Sequence, residues 1–351
     1  VVIQEAYDAA FEGMDIVLGA AENDIAKRFA PAIQAAGAVF VDNSSAFRLD
    51  PDVPLVVPEI NAEDAYTQKK GIIANPNCST IITLMALAPI ARISSIETIV
   101  ASTYQAVSGA GANGLTELEA QAQAYPKGEP LTANAFPHQI LFNLLPRIGG
   151  IGENGYSSEE MKLQNEGRKI LHLPELRVTC TCVRVPVMRS HSISATFTTK
   201  RPVSVEEARA AIAAAEGVQL VDNPNNDVYP MPLDTSDQDD VFVGRIRRED
   251  LALEPLARAA LVQGHEQVHH EGSHHDDEGH GRHLSRVGAG DQLLHSRGAY
   301  FEGSEEEQHA DGKRTVGLEL GMAVRVPRVG RTRRQADADK PDDVAQRVEY
   351  R

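Results

Sequence analysis

The sequence predicts an α/β protein. An incomplete parallel-sheet domain is followed by an α+β domain with a mixed sheet, and a disordered C-terminal tail closes the chain. In the first part, strand, helix and strand patterns alternate at the spacing of a βαβ unit, and such units form parallel sheets. From about Glu97, strands with period-two alternation lie between amphipathic helices, which is typical of an α+β domain. The 351 residues suffice for two domains with sizeable cores.

The N-terminal elements follow from short hydrophobic runs and the residues that end them. The segment Asp15–Ala21 is typical of a buried strand that ends in small residues. We predict a helix over Ala26–Gly37, closed by its glycine, and the next strand over Ala38–Ser45. GIIANPNC, residues 71–78, predicts a further short strand, and a helix follows from Ser79 to about Ile90.

The second part of the chain supplies the remaining helices and strands. Ser157 and Glu160 have the spacing of a capping box, so we expect a helix over Ser157–Leu171. The other predicted elements are strands at 97–109, 177–187, 191–200 and 240–249, and helices at 113–125 and 204–217.

The character of the sequence changes after about Leu253. Nine of the twelve His residues lie beyond Gly264, and HEQVHHEGSHHDDEGHGRH has no apolar periodicity. TVGLELGMAVRV is an isolated core-like segment in this region. We expect a disordered tail, of the kind that a shift of reading frame would also produce. The alternative is a genuine appendix in which HHEGSHH binds Zn or Ni loosely.

Composition excludes several classes of function. The formal net charge of −16 argues against nucleic acid or an anionic membrane as a partner. No apolar run is long enough to span a bilayer. Three cysteines do not make a disulfide framework, so we expect a reducing, cytoplasmic location.

The stretch IIANPNCSTIITLMALAPIA places Cys78 between a turn and a run of apolar helix formers. Pro76 restricts Asn75 to an extended conformation, so the chain turns at Asn77 and the helix begins next to Cys78. The unpaired N–H groups of a helix N-terminus carry partial positive charge, which favours a nucleophilic thiolate and could stabilise an oxyanion. The alternative is a small buried cysteine in a strand-to-helix turn.

Several motifs, in this order, resemble those of aspartate-β-semialdehyde dehydrogenases. They are FVDNSSAFRLDPDVPLVVPEIN at residues 40–61, NPNCST at 75–80, YQAVSGAG at 104–111, EEMK at 159–162 and CVRVPVMRSHS at 182–192. The resemblance extends over roughly residues 15–253.

The resemblance implies an NADPH-dependent enzyme that reductively dephosphorylates L-aspartyl-4-phosphate to L-aspartate-4-semialdehyde through a cysteine thioester. That reaction belongs to lysine, threonine, methionine and diaminopimelate biosynthesis. It also implies a partial Rossmann-type NADP-binding domain over 1–77, a catalytic and dimerisation domain over 78–253, and a tail over 254–351. A homodimer or tetramer follows from the same resemblance.

The resemblance assigns four residues to catalysis. Cys78 matches the nucleophile, Asn77 and the adjacent backbone would face the oxyanion, and Gln105 would orient the substrate. His191 matches the acid/base, since an imidazole with a pKa near neutrality could take the thiol proton and later serve the tetrahedral intermediate. Without the resemblance, Gln105 would be an ordinary strand-end amide and His191 a structural histidine. We expect Cys78, Gln105, Arg184 and His191 to converge.

Four further residues match substrate and phosphate ligands. Arg184 would grip the α-carboxylate, Glu159 the amine, and Lys162 and Arg48 the phosphate. Glu159 and Lys162 are three apart and so share a helix face, although a solvated ion pair has the same spacing.

Two more cysteines lie close to Arg184. Cys180 and Cys182 lie at even offsets from it and so share its face of the strand. We read them as core residues and expect no metal site.

The cofactor site departs from the pattern of the family. Ser108 and Gly109 match a loop that touches the cofactor, but the Gly-rich phosphate-binding turn that opens the domain in the family is not present. The alternative is therefore an impaired remnant with negligible NADPH-linked turnover. Weaker alternatives are an N-acyl-glutamyl-phosphate reductase-like enzyme and a His-rich metal-binding protein.

Overall fold

The computed structural model describes residues 5–248 and the backbone of the strand at 316–320. The helices are α1 (Asn23–Ala35), α2 (Pro58–Asn61), α3 (Cys78–Ala91), α4 (Gly111–Ala124), α5 (Ser158–Ile170), α6 (Val205–Ala213) and α7 (Pro232–Thr235). The strands are β1 (Ile16–Gly19), β2 (Val39–Asp42), β3 (Ile72–Ala74), β4 (Ile96–Gln105), β5 (Arg177–Arg184), β6 (Ser192–Thr199), β7 (Val218–Leu220), β8 (Val241–Val243), β9 (Ile246–Arg248) and β10 (Val316–Leu320).

The N-terminal part is a three-stranded parallel sheet in the order β1-β2-β3, as the βαβ pattern predicts. Helix α1 makes the crossover and buries Ala26, Phe29, Ala30 and Ile33, which have the spacing of one helix face. Gly37 follows its C-terminus with φ of +79°, a conformation that glycine adopts without steric cost. The carboxyl ends of all three strands therefore meet at one edge of this sheet.

The larger sheet is mixed, as predicted, with the strand order β5-β4-β6-β10-β9. Strand β4 pairs parallel with β5 and antiparallel with β6. Strand β10 belongs to the segment that is isolated in the sequence, and it pairs with β6 and β9. The rest of the predicted tail and its His-rich segment lie outside the described residues.

One predicted strand is wrong: the segment 240–249 forms two strands in different sheets. Strand β8 pairs with β7, a three-residue strand too short for its pattern to be recognised, and β9 pairs with β10. The strand is interrupted at Gly244 and Arg245, and Arg245 has a positive φ of +59°. A side chain at Gly244 would collide with the carbonyl oxygen of Val221. Asp222 secures the break by accepting the N–H groups of Arg245 (2.8 Å) and Ile246 (3.2 Å).

Helix α3 lies at the centre of the core, and eleven of its residues are buried. Leu84 and Leu87 are 0% exposed, and complete burial of such a side chain contributes roughly 1.5–3 kcal/mol. The helix contacts α5, α6, β4, β6 and β8. Because its sides are held by so many elements, its first residue, Cys78, has a fixed place. None of the helices in the described ranges is long and apolar enough to cross a membrane.

The predicted capping box at the start of α5 is confirmed. The N–H of Ser157 donates to Glu160 Oε2 (2.6 Å), and the N–H of Glu160 donates to Ser157 Oγ (3.3 Å). Helix α6 begins with the same device, formed by Ser204 and Glu207. The two boxes satisfy backbone donors that would otherwise lack partners.

We predict that Ser157→Ala lowers the free energy of unfolding by about 1 kcal/mol and also changes the rate at which Cys78 is alkylated. The second effect is expected because the first turn of α5 carries Glu159, whose charge acts on the pKa of Cys78. Ser204→Ala is the matched control, with a similar loss of stability in urea and an unchanged alkylation rate. Equal effects of both variants on Cys78 would contradict the prediction.

Candidate active site

A cleft of about 650 Å³ opens at the carboxyl edge of the parallel sheet. Its lining includes Asn43 after β2, Cys78 at the start of α3, the turn at Ser108 and Gly109, and His191 before β6. The cleft thus joins the end of a parallel sheet, where cofactors commonly bind, to the cysteine that the sequence singles out.

Cys78 is the first residue of α3, as the sequence predicts. Asn77 is the N-cap, and its Oδ1 accepts the N–H groups of Ser79 (3.0 Å) and Thr80 (3.2 Å). The Cys78 side chain is half-buried and not in a disulfide. The cap satisfies two of the helix donors, so the field at the thiol is weaker than that of an uncapped terminus.

The expectation that the helix terminus makes this thiol readily ionisable is wrong for the free protein. Burial, and after it the carboxylate of Glu159, raises the pKa of Cys78 to about 11. The N–H and hydroxyl of Ser79 and the charge of Lys162 act in the opposite direction but are weaker. In the resting protein Cys78 is a neutral thiol.

Glu159 is the hub of the site. Its Oε1 accepts hydrogen bonds from Asn77 Nδ2 (2.9 Å) and Gln105 Nε2 (3.3 Å), and its Oε2 accepts one from Lys162 Nζ (2.8 Å). Burial alone would raise the pKa of Glu159, but Lys162 and the two amides outweigh it and the pKa lies below its usual value. Glu159 is therefore a carboxylate placed between the nucleophile turn and the end of β4.

Arg184 is buried at the end of β5, and its Nη1 donates to the carbonyl oxygen of Ala106 (2.7 Å). Cys180 and Cys182 are buried on the same face, with their Sγ atoms 3.8 Å apart, as the prediction that they belong to the core requires. A side chain at Gly109 would collide with Arg184 Nη1. Only a glycine therefore lets this turn approach the guanidinium so closely.

His191 differs from the expected acid/base. Burial and the nearby Arg184 charge lower its pKa to about 4. Its Nδ1 accepts the N–H of Ala106 (3.1 Å), which leaves the proton on Nε2. His191 is thus a neutral hydrogen-bond donor in the free protein, and the prediction of a pKa near neutrality is wrong.

Arg48 lines the cleft, and its guanidinium is already engaged. Nη1 donates to Glu166 Oε1 (3.1 Å), and Nη2 donates to the carbonyl oxygen of Asn43 (2.9 Å). The other oxygen of Glu166, Oε2, accepts the backbone N–H of Asn77 (2.7 Å). Asn77 thus has both its side-chain NH₂ and its backbone N–H occupied, so in the free protein neither group faces the cleft as the predicted oxyanion donor.

Glu166 and Ser79 belong to the site but are not among the residues predicted from the sequence. Glu166 follows Glu159 by seven residues and Lys162 by four, so it lies on the same face of α5, and this spacing was the available signal. The hydroxyl of Ser79 is buried beside the Cys78 thiol, whose pKa it lowers. No sequence pattern marks a serine for such a role.

The structure brings all ten predicted site residues into one region. Cys78, Asn77, Arg48, Ser108, Gly109 and His191 line the cleft. The other four predicted residues do not line the cleft. Glu159 hydrogen-bonds to the lining residue Asn77, and Gln105 and Lys162 hydrogen-bond to Glu159. Arg184 hydrogen-bonds to Ala106 and lies against Gly109. Within the described part of the chain, no group of three or more metal-ligating side chains forms a metal site.

Comparison with known proteins matches two domains of one family. Residues 1–68 match the NAD-binding domain of semialdehyde dehydrogenases, and residues 87–258 match their dimerisation domain. The aspartate-semialdehyde dehydrogenase of Aquifex aeolicus is 50% identical over 248 residues, which are 70% of this chain and 73% of the relative.

Solved structures agree with these matches. Aspartate semialdehyde dehydrogenase II of Vibrio cholerae, in complex with ASA, has 40% identity and a TM-score of 0.65, over 67% of this chain and 70% of that one. The enzyme of Candida albicans with NADP has 27% identity and a TM-score of 0.52, over 68% of this chain and 69% of that one.

We predict that Glu159→Gln accelerates the alkylation of Cys78 by iodoacetamide at pH 8. The variant removes a charge that raises the pKa of the thiol and leaves Lys162 unneutralised, so more thiolate is present below pH 11. Each unit of decrease in pKa raises the rate about tenfold, and we expect roughly 3- to 10-fold.

The control for this prediction is Glu160→Gln. It changes the neighbouring carboxylate, which is not among the main causes of the raised pKa of Cys78, and glutamine still completes the capping box. An unchanged or slower alkylation rate in Glu159→Gln would refute the assignment of Glu159 as a charge that raises the pKa of this thiol.

Proposed function

This chain belongs to the aspartate-semialdehyde dehydrogenase family, and we propose that it reductively dephosphorylates L-aspartyl-4-phosphate to L-aspartate-4-semialdehyde through a thioester on Cys78. The observation that carries the proposal is the hub at Glu159, which joins the turn bearing the cysteine to Gln105 and Lys162. This reaction places the protein in the biosynthesis of lysine, threonine, methionine and diaminopimelate.

The charges of the site complement those of the substrate. Glu159 suits an ammonium group, the planar fork of Arg184 suits the α-carboxylate, and Lys162 and Arg48 suit the phosphate. In the free protein Lys162 forms an ion pair with Glu159. The substrate ammonium would replace Lys162 as the partner of Glu159, which would leave Lys162 free to bind the phosphate.

The same exchange explains how a neutral thiol becomes a nucleophile. The ammonium group neutralises the carboxylate that raises the pKa of Cys78, and Lys162 remains nearby. The pKa of the thiol therefore falls when the substrate binds. Ionisation is coupled to binding, and the free enzyme is protected from side reactions.

The chemistry begins when the Cys78 thiol releases its proton to water in the cleft and the thiolate attacks the acyl carbon; the departing phosphate takes up an equivalent proton. The backbone N–H of Cys78 and Nε2–H of His191 would stabilise the oxyanion, while Asn77 caps the N–H groups of Ser79 and Thr80 and shapes the turn. The C–O bond to phosphate then breaks, phosphate leaves, and the acyl group remains on sulfur as a thioester. NADPH, when bound, supplies the hydride that reduces this thioester. Collapse of the resulting thiohemiacetal expels the Cys78 thiolate and releases the aldehyde.

Two observations support the placement of the cofactor in the cleft. The cleft runs from the carboxyl edge of the parallel sheet to Cys78, and the turn at Ser108 and Gly109 forms its wall without side-chain obstruction at the glycine. We assign Ser108 and Gly109 to the nicotinamide end. The preference for NADP over NAD is part of the proposal.

We expect the full chain to be acylated by aspartyl phosphate, with release of one phosphate per Cys78, and to reduce NADP when given aspartate semialdehyde and phosphate. Intact-mass spectrometry reports the thioester, and absorbance at 340 nm reports the hydride. Cys78→Ser should lower turnover by roughly 10³-fold or more.

The two readouts separate the alternatives. Acylation without hydride transfer would favour the impaired remnant. Absence of both would overturn the proposal. Faster turnover with an acyl-glutamyl phosphate would favour the related reductase.

We propose that the protein forms a homodimer through the outer face of the larger sheet. On that face Val100 is 41% and Tyr104 45% exposed on β4, a strand otherwise flanked by β5 and β6. The surrounding positions carry Thr and Ser, among them Thr179 and Thr181. A flat face of this kind suits a second copy, and it lies within the residues that match a dimerisation domain.

We predict that Tyr104→Glu weakens the dimer by about 100-fold or more, because an unpaired charge would be buried at the interface. Sedimentation equilibrium measures the dissociation constant, and circular dichroism checks the fold. Tyr66→Glu, at a tyrosine 84% exposed in the N-terminal part, is the control that should leave the dimer intact. A monomeric wild-type protein, or an unchanged Tyr104→Glu dimer, would count against this face.

A further inference from the structure

Glu166 is a buried carboxylate that has no role in the reaction proposed above. It is 2% exposed, and both its oxygens are engaged. One oxygen accepts from Arg48 Nη1 (3.1 Å), and the other accepts the backbone N–H of Asn77 (2.7 Å). A single side chain thus connects the residue before the nucleophile with the arginine at the phosphate end of the cleft.

Stability alone does not account for this arrangement. Burial raises the pKa of Glu166 even though Arg48 and the Asn77 N–H oppose the shift, so desolvation of the carboxylate outweighs these contacts. A buried ion pair often contributes no more stability than apolar residues of the same size. The pair lies instead where it acts on two functional parts of the cleft.

We propose that Glu166 is a positioning residue that fixes the Cys78 turn and partly neutralises Arg48, so that phosphate binds weakly enough to leave. The inference rests on the proposed role of Arg48 as a phosphate ligand. A buried guanidinium without a counter-charge would hold a dianionic product tightly. Because the Glu166 carboxylate already pairs with Arg48, phosphate must compete with this carboxylate for the guanidinium.

Arg48 would keep its position if Glu166 lost its charge. Its Nη2 is held by the carbonyl oxygen of Asn43 (2.9 Å), and the side chain is only 9% exposed. Its Nε is buried and without a partner among the described residues. The guanidinium therefore stays at the cleft wall, and its charge becomes available to an incoming anion.

The substitution Glu166→Gln tests the proposal because glutamine keeps the shape and one acceptor but removes the charge. The probe is inorganic phosphate, titrated into the full chain by isothermal calorimetry. We expect roughly 3- to 10-fold tighter binding than in the wild type, since an uncompensated charge faces the anion. A residue with a merely structural role would leave the affinity unchanged or weaken it.

Two further variants make the test specific. Glu117→Gln is the matched control, because Glu117 is also buried, at 7% exposure, and ties a loop by accepting the N–H groups of Asn134 and Ala135. Glu117→Gln should lower the free energy of unfolding and leave the affinity for phosphate unchanged. In an Arg48→Met background, adding Glu166→Gln should produce no tightening, because the effect passes through Arg48.

The outcomes separate this inference from the proposed function. Unchanged or weaker phosphate binding in Glu166→Gln, or tightening that persists without Arg48, overturns the inference even if the wild type turns over. Tightening that requires Arg48 supports it even if no hydride transfer is seen. Absence of phosphate binding by the wild type also overturns it, since Arg48 would then not be an anion ligand.

Discussion

Two carboxylates of α5 hold Asn77 from opposite ends, and the rest of the site depends on this constraint. Glu159 accepts the side-chain amide of Asn77, and Glu166 accepts its backbone N–H. Asn77 can then turn its remaining oxygen back onto the first N–H groups of α3. The cysteine that follows has little freedom, because the residue before it is fixed and the helix after it is buried.

Helix α5 extends this support along one face. Below Glu166, Lys169 Nζ donates to the carbonyl oxygens of Arg48 (2.9 Å), Asp50 (2.7 Å) and Val53 (2.6 Å). The loop that carries Arg48 is thus held by the same helix as the nucleophile turn. The charges are also matched before any substrate arrives, since Glu159 pairs with Lys162 and Glu166 with Arg48. A charged ligand must replace these internal partners, which restricts binding to ligands whose charges fit the same places.

Much of the architecture could be predicted from local sequence, because it depends on local chemistry. Gly37 and the Ser157–Glu160 spacing mark helix ends by their own backbone requirements, and the alternation along β5 and β6 fixes which side chains face inward. The break at Gly244 could not be predicted, since it results from the carbonyl of a distant strand that leaves no room for a side chain. The pKa of Cys78 was mispredicted for a similar reason. The helix terminus is visible in the sequence, whereas the burial of the thiol in the folded chain and the carboxylate of Glu159, eighty-one residues away on α5, are not.

Ala106 shows how narrowly the far end of the site is defined. Its carbonyl oxygen accepts from Arg184, and its N–H donates to His191, so the backbone of one residue sets the spacing between the guanidinium and the imidazole. Neither side chain can be moved without disturbing the other. Attempts to redirect such a protein towards a longer or shorter acid should therefore begin at Glu159 and Lys162, whose hydrogen bonds run between side chains and not through the backbone of the site.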